Sequence, residues 1–199
     1  LYSSSQKSIE DLKHIVDKMP DDEIRNILKK YTGVRKNRRH KPGRAFENSY
    51  YTFDILSDYG SFRDLQRHRL MTIEWQKMNP ELGFNFPDEV KKTPYENECK
   101  ELITKSKELY EKLEANFPHL KEYSLLFGHN IRYSMTMNVR QAFHLIELRS
   151  AKQGHISYRK VCMKMHDQIK DIAGHSNFYE LMNFTDHEEY ELQRLDSEV

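Results

Sequence analysis

The tripeptide Arg67-His68-Arg69 carries the residue types best suited to ligand chemistry in this sequence. Two guanidinium groups flank one imidazole, and together they form a compact set of hydrogen-bond donors. Arginine suits a ligand that has both phosphate and rings, because its planar fork pairs with phosphate and its face stacks on aromatic systems. A basic triplet is more often the solvated end of a helix, so the tripeptide alone is consistent with either role.

A second group of donors lies on a predicted helix that starts after Asn138. Asn138 is a good N-cap, and Gln141 three residues later completes a capping-box pattern. Arg140 and His144 are four residues apart, so they lie on one side of the helix and can present donors to one ligand. An apolar stripe on another side is formed by Val139, Ala142, Phe143, Leu145 and Ile146.

Arg149 projects into the middle of that apolar stripe. A charge in such a place is costly unless it is paired, or unless the helix has ended and the side chain reaches solvent. The paired alternative indicates an anionic ligand near the end of this helix. The sequence leaves both alternatives open.

The segment 33–44 reads GVRKNRRHKPGR and has six Lys or Arg residues between Arg35 and Arg44. One interpretation is a solvated surface loop. The other is a phosphate-binding edge, either for a nucleotide ligand or for nucleic acid. Nucleic acid is disfavoured because no aromatic residue is interleaved in the run, and because 32 basic residues against 31 acidic ones leave no global field.

The cysteines and histidines argue against metal and disulfide chemistry. Cys99 and Cys162 have no paired spacing, which excludes a sulfur-ligated zinc site and predicts a reducing, cytoplasmic setting. His155, His166 and His175 lack a repeating ligand spacing, so no metal site is expected. No stretch approaches the ~18 apolar residues of a membrane span. The chain begins at Leu1 rather than methionine, which suggests a piece of a longer protein.

Apolar periodicity predicts an α+β fold, or a mixed α/β one, with a small sheet and about six or seven helices. Strands are expected over 51–55, 70–75 and 131–137, and a break at 59–61 precedes a short helix over 62–69 that ends in the tripeptide. Further helices are expected over 8–19, 20–31, 94–117, 119–127, 138–149 and 154–173. Three regions follow: a helical hairpin with the basic loop (1–43), a central domain (44–175) and an acidic helical tail (176–199).

Several motifs stand in a recognisable order along the central region. Residues 46–55 read FENSYYTFDI, Arg67-His68-Arg69 follows, and Asn138-Val139-Arg140, His144-Leu145 and Leu148-Arg149 come later. Their order and spacing resemble those of the flavin-dependent thymidylate synthases, the ThyX family. That family shows an FEHxxFTFxI strand, an RHR tripeptide and an NxRxxxNFxxLR helix. The resemblance covers residues 44 to 165, with a weaker match over 154–159.

The resemblance implies a mixed α/β fold that forms a homotetramer with FAD at subunit interfaces. Family members methylate dUMP with methylenetetrahydrofolate, reduce the transferred carbon through FAD and recharge FAD with NADPH, without a cysteine nucleophile. Carried over by position, Arg67 and Arg149 would bind dUMP. The residues that would contact FAD are Arg67, His68, Arg69, Asn138, Arg140 and His144.

Departures from the family pattern concentrate in the segment after the tripeptide, LMTIEWQKMN over 70–79. Trp75 stands where the family has a nucleotide-binding glutamate, Lys77 where it has a serine, and Asn79 where it has an arginine. Asp64 replaces a glutamine three residues before Arg67, and its charge would repel a phosphate dianion. Glu122 also falls where an arginine is expected. The flavin half of the site is therefore better preserved than the substrate half.

Three functions follow from these patterns. The first is a thymidylate synthase-type flavoprotein. The second is a degenerate, non-catalytic copy that serves as a flavin-binding or structural module, for instance one domain of a tandem ThyX-like protein. The third and weakest is a nucleic-acid-binding protein that uses the basic loop.

Overall fold

A three-stranded antiparallel sheet forms the centre of the computed structural model, which describes residues 1–91 and 93–189. Strand β3 (Asn130–Asn138) is the middle strand, between β1 (Tyr50–Asp58) and β2 (Met71–Trp75). The whole of β1 pairs with β3, with Tyr50 opposite Asn138 at one end and Asp58 opposite Asn130 at the other. The three strands lie where the sequence predicted them.

The described part of the chain has seven α-helices beside the sheet, which confirms the predicted α+β class. Ser8 caps the first helix, since its hydroxyl oxygen accepts from the backbone N–H of Asp11. The helices are α1 Ile9–Val16, α2 Asp21–Thr32, α3 Tyr59–Leu65, α4 Glu96–Asn116, α5 Val139–Arg149, α6 Ile156–Asp171 and α7 Ser176–Leu181.

The hydrophobic core lies between the sheet and helices α5 and α6. Successive side chains of a strand point to opposite faces, and the alternate residues Ile131, Tyr133, Met135 and Met137 of β3 are each at most 1% exposed. The apolar stripe of α5 is fully buried against them, as its spacing predicted. This packing fixes where the polar residues at both ends of α5 can lie.

Helix α3 differs from its prediction over 62–69. It begins at Tyr59, because the Asp58 carboxylate accepts from the Ser61 backbone N–H at 2.8 Å and from the Ser61 hydroxyl. It ends at Leu65, so the predicted break at 59–61 is its first turn, and the tripeptide follows the helix instead of ending it. No sequence pattern predicted this aspartate cap.

Two further segments differ in extent from their predictions. The helix expected over 119–127 is only a 3₁₀ turn over Lys121–Ser124. After α7, residues 182–189 have no regular helix, and the rest of the predicted acidic helical tail, 190–199, lies outside the described residues. No helix in the described ranges is long and apolar enough to span a membrane.

Candidate functional site

The tripeptide 67–69 lies in the turn between α3 and β2. The backbone N–H of His68 donates to the carbonyl of Leu65, the last residue of α3, which holds the turn against the end of that helix. His68 is half-buried, whereas Arg67 and Arg69 are exposed. The turn therefore directs one imidazole inward and places two guanidinium groups at the surface.

Asn138 has a structural role in this site. Its side-chain oxygen accepts from the backbone N–H of Gln141 at 2.8 Å, and it ends β3 where α5 begins. Arg140, in the first turn of α5, donates from Nε to the carbonyl of Pro42 at 2.8 Å and from Nη1 to Glu47 at 3.1 Å. Arg140 is thus fixed by groups from two other segments.

Arg149, at the other end of α5, is paired within the chain. Its Nε donates to Nε2 of His68 at 2.9 Å, although the two residues are 81 positions apart. Its Nη1 lies 3.8 Å from the Asp64 carboxylate, and its guanidinium carbon lies 5.5 Å from the centroid of the Tyr158 ring. These contacts explain why a charge is tolerated in the apolar stripe, and they join the two predicted motifs.

His68 and His144 form a pair of neutral imidazoles. Their ring centroids are 5.8 Å apart. Burial, with the positive charge of Arg149 and the influence of His144, lowers the pKa of His68 to about 4. Because Arg149 donates to Nε2 of His68, that nitrogen carries no proton, and the ring's proton is on Nδ1. Neutral His68 can therefore donate one hydrogen bond to a ligand from Nδ1.

The basic loop contributes to the same region, since its charges act on His144. Burial lowers the pKa of His144, and the charges of Lys41 and Arg38 lower it further. Lys41 also lines a cleft of about 250 Å³ together with Asn138 and Arg140. The sequence did not single out Lys41 or Arg38. It indicated only that the basic loop as a whole could bind phosphate.

Arg35 is an exception within this loop, and for it the interpretation as a solvated surface loop is wrong. Its guanidinium forms a two-pronged salt bridge with Glu147 of α5, and the two side chains are 3% and 1% exposed. The rings of Phe143 and Phe184 lie 5.3 and 5.2 Å from the guanidinium carbon. This pair anchors the loop to α5 and so positions Lys41 and Arg38.

The predicted site residues are divided between three neighbouring places in this single chain. His68, His144 and Arg149 form one cluster, and Asn138 and Arg140 line the 250 Å³ cleft. A larger groove of about 1100 Å³ is lined by Arg67, Asp64, Tyr158 and neighbouring residues of α6. Arg69 is exposed at the surface.

Comparison with known proteins decides the family. The model of the Thy1 family, described as "Thymidylate synthase complementing protein", matches residues 1–174. The chain belongs to this family. The resemblance found in the motifs is therefore confirmed, and the match includes the N-terminal hairpin and the basic loop.

Relatives of this Thy1 chain are much longer than it is. It is 36% identical over 198 residues to a UPF0159 protein of Chlamydia muridarum and 36% identical over 200 residues to one of Chlamydia pneumoniae. A UPF0159 protein of Thermoplasma acidophilum is 33% identical over 175 residues, or 87% of this chain. The Chlamydia matches cover all of this chain but only 37% of each relative, and the Thermoplasma match covers 35%.

Three of the departures from the ThyX pattern have structural roles in this Thy1 domain. Asn79 caps the 3₁₀ turn over Pro80–Leu82, because its side-chain oxygen accepts from the Glu81 backbone N–H at 2.9 Å. Glu122 accepts from the backbone N–H of Met78 at 3.2 Å. Trp75, at the end of β2, packs its ring 5.7 Å from that of Phe62 and is still 58% exposed. The altered segment is thus integrated into the fold.

Proposed function

We propose that this chain is a flavin-binding domain of thymidylate synthase type, which acts on dUMP as part of a larger protein or assembly. The contact between Arg149 and His68, 2.9 Å long, carries this proposal. It joins the tripeptide 67–69 to the end of α5, the two elements that the family resemblance assigns to FAD and dUMP. A spacing match alone would not require these two side chains to meet.

The donor set fits FAD, which offers phosphate anions and a flat ring with hydrogen-bonding edges. Arg38, Lys41 and Arg69 have no carboxylate within ion-pair distance among the described residues, so their charges remain available to phosphate. His68 and His144 are neutral donors beside them. When bound, FAD would supply the hydride that reduces the carbon transferred from methylenetetrahydrofolate to dUMP, and NADPH would restore the reduced flavin.

The position of each residue indicates whether it would bind FAD or dUMP. Arg67, His68, Arg69, Asn138, Arg140 and His144 would hold FAD. Arg67 and Arg149 would bind the phosphate of dUMP, which is the anionic partner that the placement of Arg149 suggested. The bond from Arg149 keeps His68 in a single tautomer and orientation, so that its Nδ1–H presents a fixed donor.

A complete site would need a second domain. The predicted residues are divided between a cluster, a cleft and a groove, and Arg67, Arg69 and Trp75 are exposed in the single chain. The length of the relatives supports a further segment that pairs with this one. We therefore include in the proposal either a homotetramer or pairing with a second ThyX-like domain, in the cytoplasmic setting that the unpaired cysteines predict.

The first test is the visible spectrum of the purified chain after loading with FAD, followed by a titration with dUMP. Bound flavin whose spectrum shifts with dUMP is the expected result. Arg69→Ala should weaken FAD binding, whereas Arg132→Ala, which removes an exposed arginine paired with Asp54 on the sheet, should not. A chain that cannot be loaded with FAD, alone or in the full-length protein, would contradict the proposal.

One contact favours a second candidate, a flavin-binding module that no longer accepts dUMP. The Asp64 carboxylate lies 3.7 Å from Arg67 and 3.8 Å from Arg149, so it forms ion pairs with both arginines proposed to bind the dUMP phosphate. If this second candidate is correct, the flavin spectrum does not change when dUMP is added, and the full-length protein forms no dTMP. Asp64→Asn should then restore a measurable response to dUMP, while Asp54→Asn, a matched change on the sheet, should not.

A further inference from the structure

A cluster of two imidazoles and one carboxylate lies at the junction of α6 with the segment after α7. It consists of His166 and Asp167 in α6 and His187 in the irregular segment 182–189. Nδ1 of His166 and Nε2 of His187 are 2.8 Å apart. One ligand atom from each of the three residues lies within 4.8 Å of the other two. None of the three belongs to the site described above.

The ring of His166 is held in one orientation and one tautomer. It is 4% exposed, and it stacks on Tyr179 with centroids 4.0 Å apart and planes 13° apart. Its Nε2 lies 3.0 Å from the carbonyl oxygen of Tyr179, which can only accept, so Nε2 carries the proton. Nδ1 therefore presents a lone pair toward His187. A second ring nitrogen that donates to a backbone carbonyl is the usual arrangement of metal-ligating histidines.

His187 is also held in place, although its side chain is 37% exposed. Both of its neighbours in the chain are anchored to the body of the domain. The backbone N–H of Asp186 donates to the Ser150 hydroxyl at 3.1 Å, and the carbonyl of Glu188 accepts from the buried Arg159 at 2.8 Å. The position of His187 opposite His166 is therefore set by the fold and not only by the contact between the two rings.

The spacing of the two rings matches that of two imidazoles on one tetrahedral metal ion. With Zn–N bonds of about 2.0–2.1 Å, the ring centroids of two such ligands lie about 5.2 Å apart and their nitrogens about 3.3 Å apart. The centroids of His166 and His187 are 5.1 Å apart. An ion bound between the rings would replace the proton that Nε2 of His187 now donates to Nδ1 of His166.

We propose that His166, His187 and Asp167 form a site for a divalent transition metal of the zinc class. Two imidazole nitrogens and one carboxylate oxygen are ligands that zinc accepts, and three protein ligands leave a fourth position open. The ion would attach segment 182–189 to α6. The spacing of His155, His166 and His175 predicted no metal site, because His187 becomes a neighbour of His166 only through the fold.

Cobalt(II) tests the site directly, because a tetrahedral complex absorbs visible light and zinc should displace it. The metal-free chain should bind one equivalent of cobalt, and zinc should raise the midpoint of thermal unfolding. His187→Ala should weaken binding at least tenfold and abolish the thermal shift, and Asp167→Asn should weaken it less. His14→Ala, which removes an exposed histidine of α1, is the matched control and should bind normally.

His187 is exposed enough for its replacement to leave the fold intact, so the comparison does not depend on changing the buried His166. If the chain binds no stoichiometric cobalt, the two histidines are only a hydrogen-bonded pair, and the proposal is wrong. Binding that is equally strong in His187→Ala would overturn it as well, because the metal would then lie elsewhere.

Discussion

The buried pair Arg35–Glu147 makes the sharpest prediction about stability. Glu147 lies on the inner side of α5, and its carboxylate accepts two hydrogen bonds from Arg35, at 2.7 and 2.5 Å. Arg35 also donates to the carbonyls of His40 and Leu181. Glu147→Ala removes the carboxylate and leaves the guanidinium buried with two carbonyl contacts and no opposite charge.

The size of the effect follows from the burial of both side chains, which are 3% and 1% exposed. Removal of one partner from such a pair lowers the free energy of unfolding by about 3–5 kcal/mol, since the other charge is left uncompensated. That is a large part of the about 5–15 kcal/mol that stabilises a typical domain. With a urea m value of about 2 kcal/mol/M, the unfolding midpoint should fall by about 1.5–2.5 M.

Urea unfolding followed by circular dichroism measures this loss. The double variant Arg35→Met with Glu147→Leu should recover at least half of it, because both charges are then removed together. Asp54→Ala, which breaks the exposed Arg132–Asp54 pair, is the matched control and should change the free energy by less than about 0.5 kcal/mol. A loss below about 1 kcal/mol in Glu147→Ala would refute the inference that this pair anchors the basic loop.

Three other measurements test the surroundings of the site. The pKa of His68 falls to about 4 on folding, so below pH 6.5 the unfolded chain takes up a proton that the folded chain does not. Between pH 6.5 and 4.5 the free energy of unfolding of the wild type should therefore fall by about 1–2 kcal/mol more than that of His68→Gln. Parallel curves of the free energy of unfolding against pH would contradict this. Asn138→Ala should lower the free energy of unfolding by about 1 kcal/mol in chemical denaturation, and Asn138→Asp should restore it. An unchanged free energy of unfolding in Asn138→Ala would show that the cap is dispensable. Burial raises the pKa of the Cys162 thiol to about 12, so a thiol reagent should label Cys99 in the native chain and Cys162 only after unfolding. Rapid labelling of both thiols in the native chain would contradict this prediction.

The sequence was informative where local periodicity and burial agree. Strand β3 alternates buried and half-buried residues, and the apolar stripe of α5 is long enough to define its inner side. It was less informative where one side chain decides a boundary. Asp58 caps α3 and moves that helix toward the N-terminus, so the tripeptide lies in a turn, and no apolar pattern signals such a cap.

The sequence by itself determined the α+β class, the Asn138 cap, the Thy1 motifs and a charge at Arg149 that needed either a partner or solvent. Only the tertiary structure decided which partners meet. Arg149 contacts His68 across 81 positions, and Arg35 contacts Glu147 across 112. These pairings depend on how α5 packs against the sheet and on the path of the basic loop. Both are set by long-range burial, which local sequence patterns do not encode.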